Sequence, residues 1–274
     1  MKNFRRLWLD GPYLLWTAAF IVIPLFTIVY YGPTDKTGAF TWDNILAMGT
    51  LERMKALILS LVLSLIATAV CLVMAYPLAL ILTNLKSGAT GFIVSIFIIP
   101  MWMNSLLRIL AWQTLLERNG VINQILQAMH LPKLYIINTP YAIALGMIYD
   151  FLPFMILPIY TTISRLDRSL LEAAADLGAN EREAFLKVTL PLSMPGVMSG
   201  VSMVFLPAMT NYVVLDMLYN STYIMGSLIG SYFSAYNWNG GSMIALILLG
   251  IICLFTYLSD SDEGQNNTRG GALL

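Results

Sequence analysis

Long apolar runs alternate with short polar intervals along almost the whole of this 274-residue chain. Six runs, over about 12–31, 55–83, 92–115, 140–163, 195–215 and 243–258, approach or exceed the ~20 residues that a bilayer-crossing helix needs. The first follows Lys2, Arg5 and Arg6. It is long for the apolar part of a signal peptide and no small-x-small cleavage site follows it, so it reads as a transmembrane helix. Prolines punctuate the runs: Pro24, Pro77 and Pro100 are expected to bend or break theirs, and Pro207 to loosen the fifth. Between runs, residues 32–53 carry Phe40 and Trp42 as interfacial anchors. The interval 117–139 predicts a short amphipathic helix through Val121, Ile122, Ile125, Leu126 and Met129. Residues 216–240 are rich in aromatics (Tyr219, Tyr223, Tyr232, Phe233, Tyr236 and Trp238), the composition of an interfacial belt, and predict a short helix over 224–233. No repeat and no separate soluble domain is visible. The expectation is one all-α integral membrane domain, residues 1–274, with six spans.

The longest charge-dense interval, Arg165 to Pro195 within a loop over 164–194, has its own local grammar. Ser169 and Glu172 stand at capping-box spacing. Leu166, Leu170, Ala174 and Leu177 form one helical stripe. Gly178 then suits a left-handed helix end. Asn180 and Glu183 repeat the capping pattern and open a second helix, which Pro191 is expected to close. Pro195 fits the first turn of the next span.

Read as a motif, this interval is Glu172-Ala173-Ala174, three residues, Gly178, nine residues, Val188, one residue, then Leu190-Pro191. It resembles, at every spacing, the "EAA" loop of ABC importer permeases. The resemblance implies a type I importer permease of MetI-like fold, whose loop is a cytoplasmic coupling helix that docks on an ATPase subunit. On that reading Glu172, Ala173, Ala174, Gly178, Leu190 and Pro191 are the ATPase-coupling residues.

Polar residues inside the spans are the second set of candidates. Trp102, Asn104, Ser105 and Arg108 crowd behind Pro100, and such a cluster is tolerated only where it faces protein or a water-filled cavity. Arg108 has a second possibility, to snorkel to the outer interface. Asp150 lies near the centre of the fourth run, where a carboxylate costs about 2.5–3.5 kcal/mol on insertion scales and should face a cavity or a partner. The segment PMWMNSLLR from Pro100 to Arg108 is similar to one found in polyamine importer permeases, with Met101 and Met103 as departures. Further similarities are the LPFM…PIY run around Phe154 and the LPAM segment followed by Asp216. An acid at position 150 is another departure from that group. The resemblance to the polyamine group implies a path for a polycation, which needs carboxylates and aromatic faces. The candidates are Trp102, Asn104, Arg108, Asp150, Asn211, Tyr212 and Asp216, with Tyr149 as an additional ring.

Composition narrows the alternatives. With 58% hydrophobic and 11% charged residues, the chain is a membrane protein, and its net charge of zero offers no nucleic-acid footprint. Cys71 and Cys253 lie in apolar runs and read as small core residues. A single histidine, His130, leaves no metal cluster, and no Walker A, nucleophile elbow or HExxH pattern occurs, so neither enzyme, metal nor cofactor is expected. Six spans place both termini and the coupling loop on one side. Nine Lys/Arg lie there (Lys2, Arg5, Arg6, Lys86, Arg165, Arg168, Arg182, Lys187 and Arg269) against six opposite (Lys36, Arg53, Lys55, Arg108, Arg118 and Lys133), which makes that side cytoplasmic.

The family resemblance then implies a bacterial plasma-membrane subunit. Its partners would be a second homologous permease, a cytoplasmic ABC ATPase dimer, an extracytoplasmic polyamine-binding protein and membrane lipid. A permease for sulfate, iron, phosphate or a sugar is the alternative within the family. A secondary transporter would have no reason for the Glu172-to-Pro191 spacing.

Overall fold

The computed structural model describes residues 11–85, 87–219 and 224–270. Lys2, Arg5, Arg6, Lys86 and Tyr223, named above, lie outside them. Among the described residues the regular elements are helices, save one isolated bridge between Thr34 and Phe40. Apart from a short helical turn over Asp43–Leu46 that tightens at Ala47–Gly49, the helices are α1 (Gly11–Tyr31), α2 (Leu51–Asn84), α3 (Ser87–Trp102), α4 (Ser105–Leu116), α5 (Val121–Ala128) and α6 (Pro140–Ser164). They continue with α7 (Arg168–Asp176), α8 (Glu181–Thr210), α9 (Tyr212–Leu218), α10 (Met225–Ser234) and α11 (Trp238–Gly270). Among the described residues five helices, α1, α2, α6, α8 and α11, are long and apolar enough to cross a bilayer. Counting one bent pair as a single span gives six: α3 ends at Trp102, the chain bends by 96°, and a new helix starts at Ser105.

The breaks have local causes. Pro100 is accommodated inside α3, and the helix ends two residues later, because Asn104 adopts an extended ψ of 127° and its side chain accepts the N–H of Leu106. That is an N-cap, which starts α4 in a new direction. In α8, Pro191 does not close the helix as the sequence suggests. The turn Phe185–Thr189 widens to the π form, with Leu190 N–H bonding to Phe185 C=O, five residues back. A proline has no N–H to give, and the widened turn carries the helix past it. The helix therefore runs from Glu181 through Pro191 and Pro195 to Thr210.

The chain forms two compact units, residues 57–227 with 255–270 and residues 11–56 with 228–254. In the first, α6 and α8 make the central pair. Met155, Ile156 and Ile159 of α6 and Val197, Val204 and Ala208 of α8 are buried in one cluster. Small residues let the backbones approach. A Cβ on Gly196 would lie 2.5 Å from Thr162 Oγ1 and 2.9 Å from the Pro158 carbonyl, and one on Gly200 2.8 Å from Met155 Sδ. The α2 helix joins through Ala67, Cys71, Ala75 and Ala79, a fully buried stripe at four-residue spacing. Cys71 is thus the small core residue expected, whereas Cys253 is exposed.

In the second unit, Asn239 Nδ2 donates to the carbonyls of Tyr31, Thr34 and Asp35, fastening the start of α11 to the turn after α1. Arg53 lies 5.0 Å from the ring centre of Tyr232 and hydrogen-bonds its hydroxyl. Among the described residues none of α1 is buried.

Candidate functional site

Two polar regions of the larger unit carry the residues that sequence analysis singles out. The first is the loop. Its opening helix, α7, is capped by Asp167 rather than Ser169: the Asp167 carboxylate accepts the Ser169 N–H at 3.0 Å. That bond, with a second from the Ser169 side chain, holds the carboxyl below its ordinary value. Asp167 wins because it precedes the first helical residue, while Ser169 is already inside the turn. At the other end Gly178 has φ +83°, and its N–H bonds to Ala175 C=O while that of Ala179 bonds to Ala174 C=O. This is the double-bonded left-handed helix end that favours glycine. Asn180 and Glu183 form the expected capping box: Asn180 Oδ1 accepts the Glu183 N–H at 2.9 Å, and Glu183 Oε2 accepts the Asn180 N–H at 3.2 Å. Leu170, Leu171, Leu177 and Leu186 are exposed, with Leu177 at 89%. Glu172, Ala173 and Ala174 lie on α7; Leu190 and Pro191 lie on α8, just past the widened turn.

The second region lies inside the spans and divides the seven path candidates in two. Arg108, on the first turn of α4, is 6% exposed, and Asp150, on α6, is 4% exposed. Arg108 Nη2 lies 2.6 Å from Asp150 Oδ1, an ion pair whose N–H and carboxylate are not well aligned for a hydrogen bond. Arg108 therefore does not snorkel. Asn211, at the junction of α8 and α9, donates Nδ2–H to Asp150 Oδ2 at 3.2 Å and accepts the Val214 N–H through its own Oδ1. One turn along, Trp112 of α4 meets Tyr149 of α6 edge-on at 5.2 Å, so Tyr149 is engaged by a neighbouring ring.

The remaining candidates face outward. Trp102 is 88% exposed at the α3–α4 break, Asn104 is exposed beside it, and Tyr212 and Asp216 are exposed one turn apart on α9. A carboxylate and an aromatic face at this spacing present one surface to a cation. An apolar groove of about 540 Å³, lined by Met101, Phe154, Pro158, Thr162, Gly196 and Met203, contains none of the candidates.

The pairing of Arg108 with Asp150 was missed by sequence reasoning, although a signal existed. Two runs each carry one opposite charge, and buried charges are found paired. The contact between the hydroxyls of Tyr76 and Ser193, 2.7 Å apart and joining α2 to α8, left no signal.

The chain is 38% identical over 203 residues to the spermidine/putrescine transport system permease protein PotB of Haemophilus influenzae, covering 73% of this chain and 71% of that one. It is 32% identical over 252 residues to PotB of Escherichia coli, covering 87% and 92%. Among solved structures, a chain of the bacterial alginate ABC transporter, crystallised with an alginate pentasaccharide-bound periplasmic protein, has the same fold, with a TM-score of 0.78 at 17% identity over 94% of both chains. A chain of the inward-facing MetNI methionine ABC transporter matches at a TM-score of 0.56 and 15% identity, over 77% of this chain and 96% of that one. The family model "Binding-protein-dependent transport system inner membrane component" matches residues 2–260, so the chain belongs to that family of multi-pass membrane transport subunits.

Proposed function

We propose that this chain forms half of the translocation pore of an ATP-driven importer for polyamines such as spermidine and putrescine. The observation that carries the substrate class is the similarity to two spermidine/putrescine permeases over most of the chain. The outward-facing pair Tyr212 and Asp216, with Trp102 exposed at the break of the third span, supports it, because ammonium groups bind carboxylates and ring faces. The ion pair of Arg108 with Asp150 supports it as well: it removes a free cation that would repel a polycation from the path.

On this reading Glu172, Ala173, Ala174, Gly178, Leu190 and Pro191 meet a cytoplasmic ATPase, to which the exposed leucines of the loop offer an apolar docking face. The partners are a second permease, an ATPase pair and an extracytoplasmic polyamine-binding protein, and both termini lie in the cytoplasm. ATP is hydrolysed by the partner, and this chain converts the movement of its loop into rocking of the packed spans.

Uptake of radiolabelled spermidine and putrescine by the assembled transporter tests the substrate. Wild type should import at least one of them, and Asp216→Asn should raise the half-saturating concentration about tenfold, a loss typical of one charge-assisted contact. Import of an anion or a sugar with neither polyamine would overturn the polyamine reading. For orientation, a cysteine at Thr37 should react with a membrane-impermeant thiol reagent in whole cells and one at Asn180 should not.

A further inference from the structure

Asp150 receives two donors from two places where the chain is interrupted. Arg108 stands four residues past Asn104, the cap at the α3–α4 break, and its backbone N–H bonds to the Asn104 carbonyl. Asn211 is the break between α8 and α9, with backbone φ −74° and ψ 84°. The α6 helix that carries Asp150 is continuous from Pro140 to Ser164. One carboxylate on an unbroken span thus joins the helix that follows the break at Trp102 to the junction between α8 and α9. We infer that Arg108, Asp150 and Asn211 form an intramembrane clamp that holds α4 and the α8–α9 junction in one arrangement on α6, so that its release is part of the pore's change of state. This rests on the permease reading and not on the choice of solute.

Three features favour a clamp over a substrate site. The pair is about nine-tenths buried or more, whereas Trp102, Tyr212 and Asp216 are open. Its charges cancel, so it offers a polycation nothing. It is also incompletely satisfied: Arg108 Nε and Nη1 are buried without a hydrogen-bond partner among the described residues. A fully bonded guanidinium would be a fixed strut. One held by a single close contact is strong enough to set a position and weak enough to exchange it. The neighbouring contacts show where the movement would be resisted. Gly146 of α6 lies so close to α9 that a Cβ there would fall 2.6 Å from Leu218 Cδ1 and 2.9 Å from Val214 Cγ1. The α9 segment is therefore seated against α6, beside the contact that Asn211 makes with Asp150.

The test uses the assembled transporter, purified with its partner subunits and placed in lipid nanodiscs. The variants are Asp150→Asn, Arg108→Gln, the double variant, and the charge exchange Arg108→Asp with Asp150→Arg. Assembly yield is measured together with ATP hydrolysis, with and without the binding protein. Either single variant leaves one buried charge alone and should reduce assembly about tenfold or more. The double variant should restore assembly. Lacking the attraction, it should raise binding-protein-independent hydrolysis about fivefold, the low end of coupling between sites, and compress the stimulation by the binding protein. A merely structural pair would leave that ratio at the wild-type value, and this result would overturn the clamp. If Asp150→Asn assembles normally and changes only the half-saturating spermidine concentration, Asp150 is a substrate ligand and the inference is wrong. If neither the double variant nor the charge exchange recovers assembly, the two residues are not coupled and the inference fails on that count. Hydrolysis is read without any polyamine, so a wrong solute assignment leaves this result intact.

Discussion

The loop around Gly178 and the polar cluster around Asp150 use the same kinds of side chain under opposite conditions. In the loop, Asp167, Asn180 and Glu183 each bond to a backbone group two or three residues away, in solvent. In the cluster, Asp150 is bonded to Asn211, 61 residues distant, and paired with Arg108 on another helix, out of solvent. The first region is a set of independent local bonds, each small because water competes for every partner. The second is one coupled unit in a low-dielectric setting, where losing a partner strands a charge. A transport subunit needs both. On the proposed reading the loop keeps its shape while it is handled by another protein, and the cluster holds one arrangement of the helices until something stronger displaces it.

The largest effect short of stranding a charge should come from the packing that supports the cluster. Gly196→Ala places a Cβ against Thr162 Oγ1 at 2.5 Å and the Pro158 carbonyl at 2.9 Å. The carbonyl belongs to a helix backbone that cannot step aside, so the cost should reach the upper part of the about 1–3 kcal/mol typical of overpacking. Gly250→Ala is the control, because nothing lies within 4 Å of its added Cβ. Thermal unfolding of the assembled complex, followed by loss of the native oligomer, should separate the two. Equal midpoints would mean that the close α6–α8 approach is not maintained in the membrane.

Much of the loop was legible in the sequence and little of the cluster was. Gly178, Asn180 and Glu183 announce their roles through spacing alone, because caps and left-handed turns are set by a handful of neighbours. The N-cap at Asp167 was misplaced to Ser169 by two residues, since several polar side chains in a row can each reach the same backbone donor. Pro191 was read as a helix end because its missing N–H is a local fact. The widened turn at Phe185–Thr189, which absorbs the loss, is a backbone adjustment that the proline itself does not announce. Arg108 and Asp150 were recognised as out of place in apolar runs, but a period or a motif carries no information about which helix faces which. That depends on Gly146, Gly196 and Gly200, whose contacts exist only after folding.

Gly178 sharpens the contrast from the loop's side. The space around its Cα is open, yet its φ is +83°. Substitution should be limited by backbone conformation, at about 1–2 kcal/mol for a residue that resists the left-handed region, and not by side-chain size. Gly178→Asn should therefore retain most ATP-coupled transport, while the β-branched Gly178→Val should abolish it with normal insertion. If the two behave alike, the left-handed turn is not what the position contributes. Asn180→Ala removes one cap and should cost about 1 kcal/mol, seen as roughly fivefold faster amide exchange in the first turn of α8.

The smallest effect tests whether the loop's bonds are as independent as their geometry suggests. Asp167 holds its carboxyl below the ordinary 3.8, chiefly through the Ser169 N–H, and it is fully exposed. For a depressed carboxylate the sign is fixed: the cap's contribution is complete above the unfolded value and fades as pH falls through the lower folded value. Amide exchange across Ser169–Leu171, corrected for the intrinsic pH dependence, should accordingly show protection that is flat above about pH 5 and declines below it. Asp167→Asn keeps an oxygen acceptor at the N-cap without a titrating group, and should flatten the profile while leaving protection at neutral pH nearly unchanged. Exchange in the first turn of α8, capped separately by Asn180, should not respond to Asp167→Asn at any pH. A response there would mean that the two caps act as one unit and that the loop is closer in kind to the buried cluster than its exposed, short-range bonds imply.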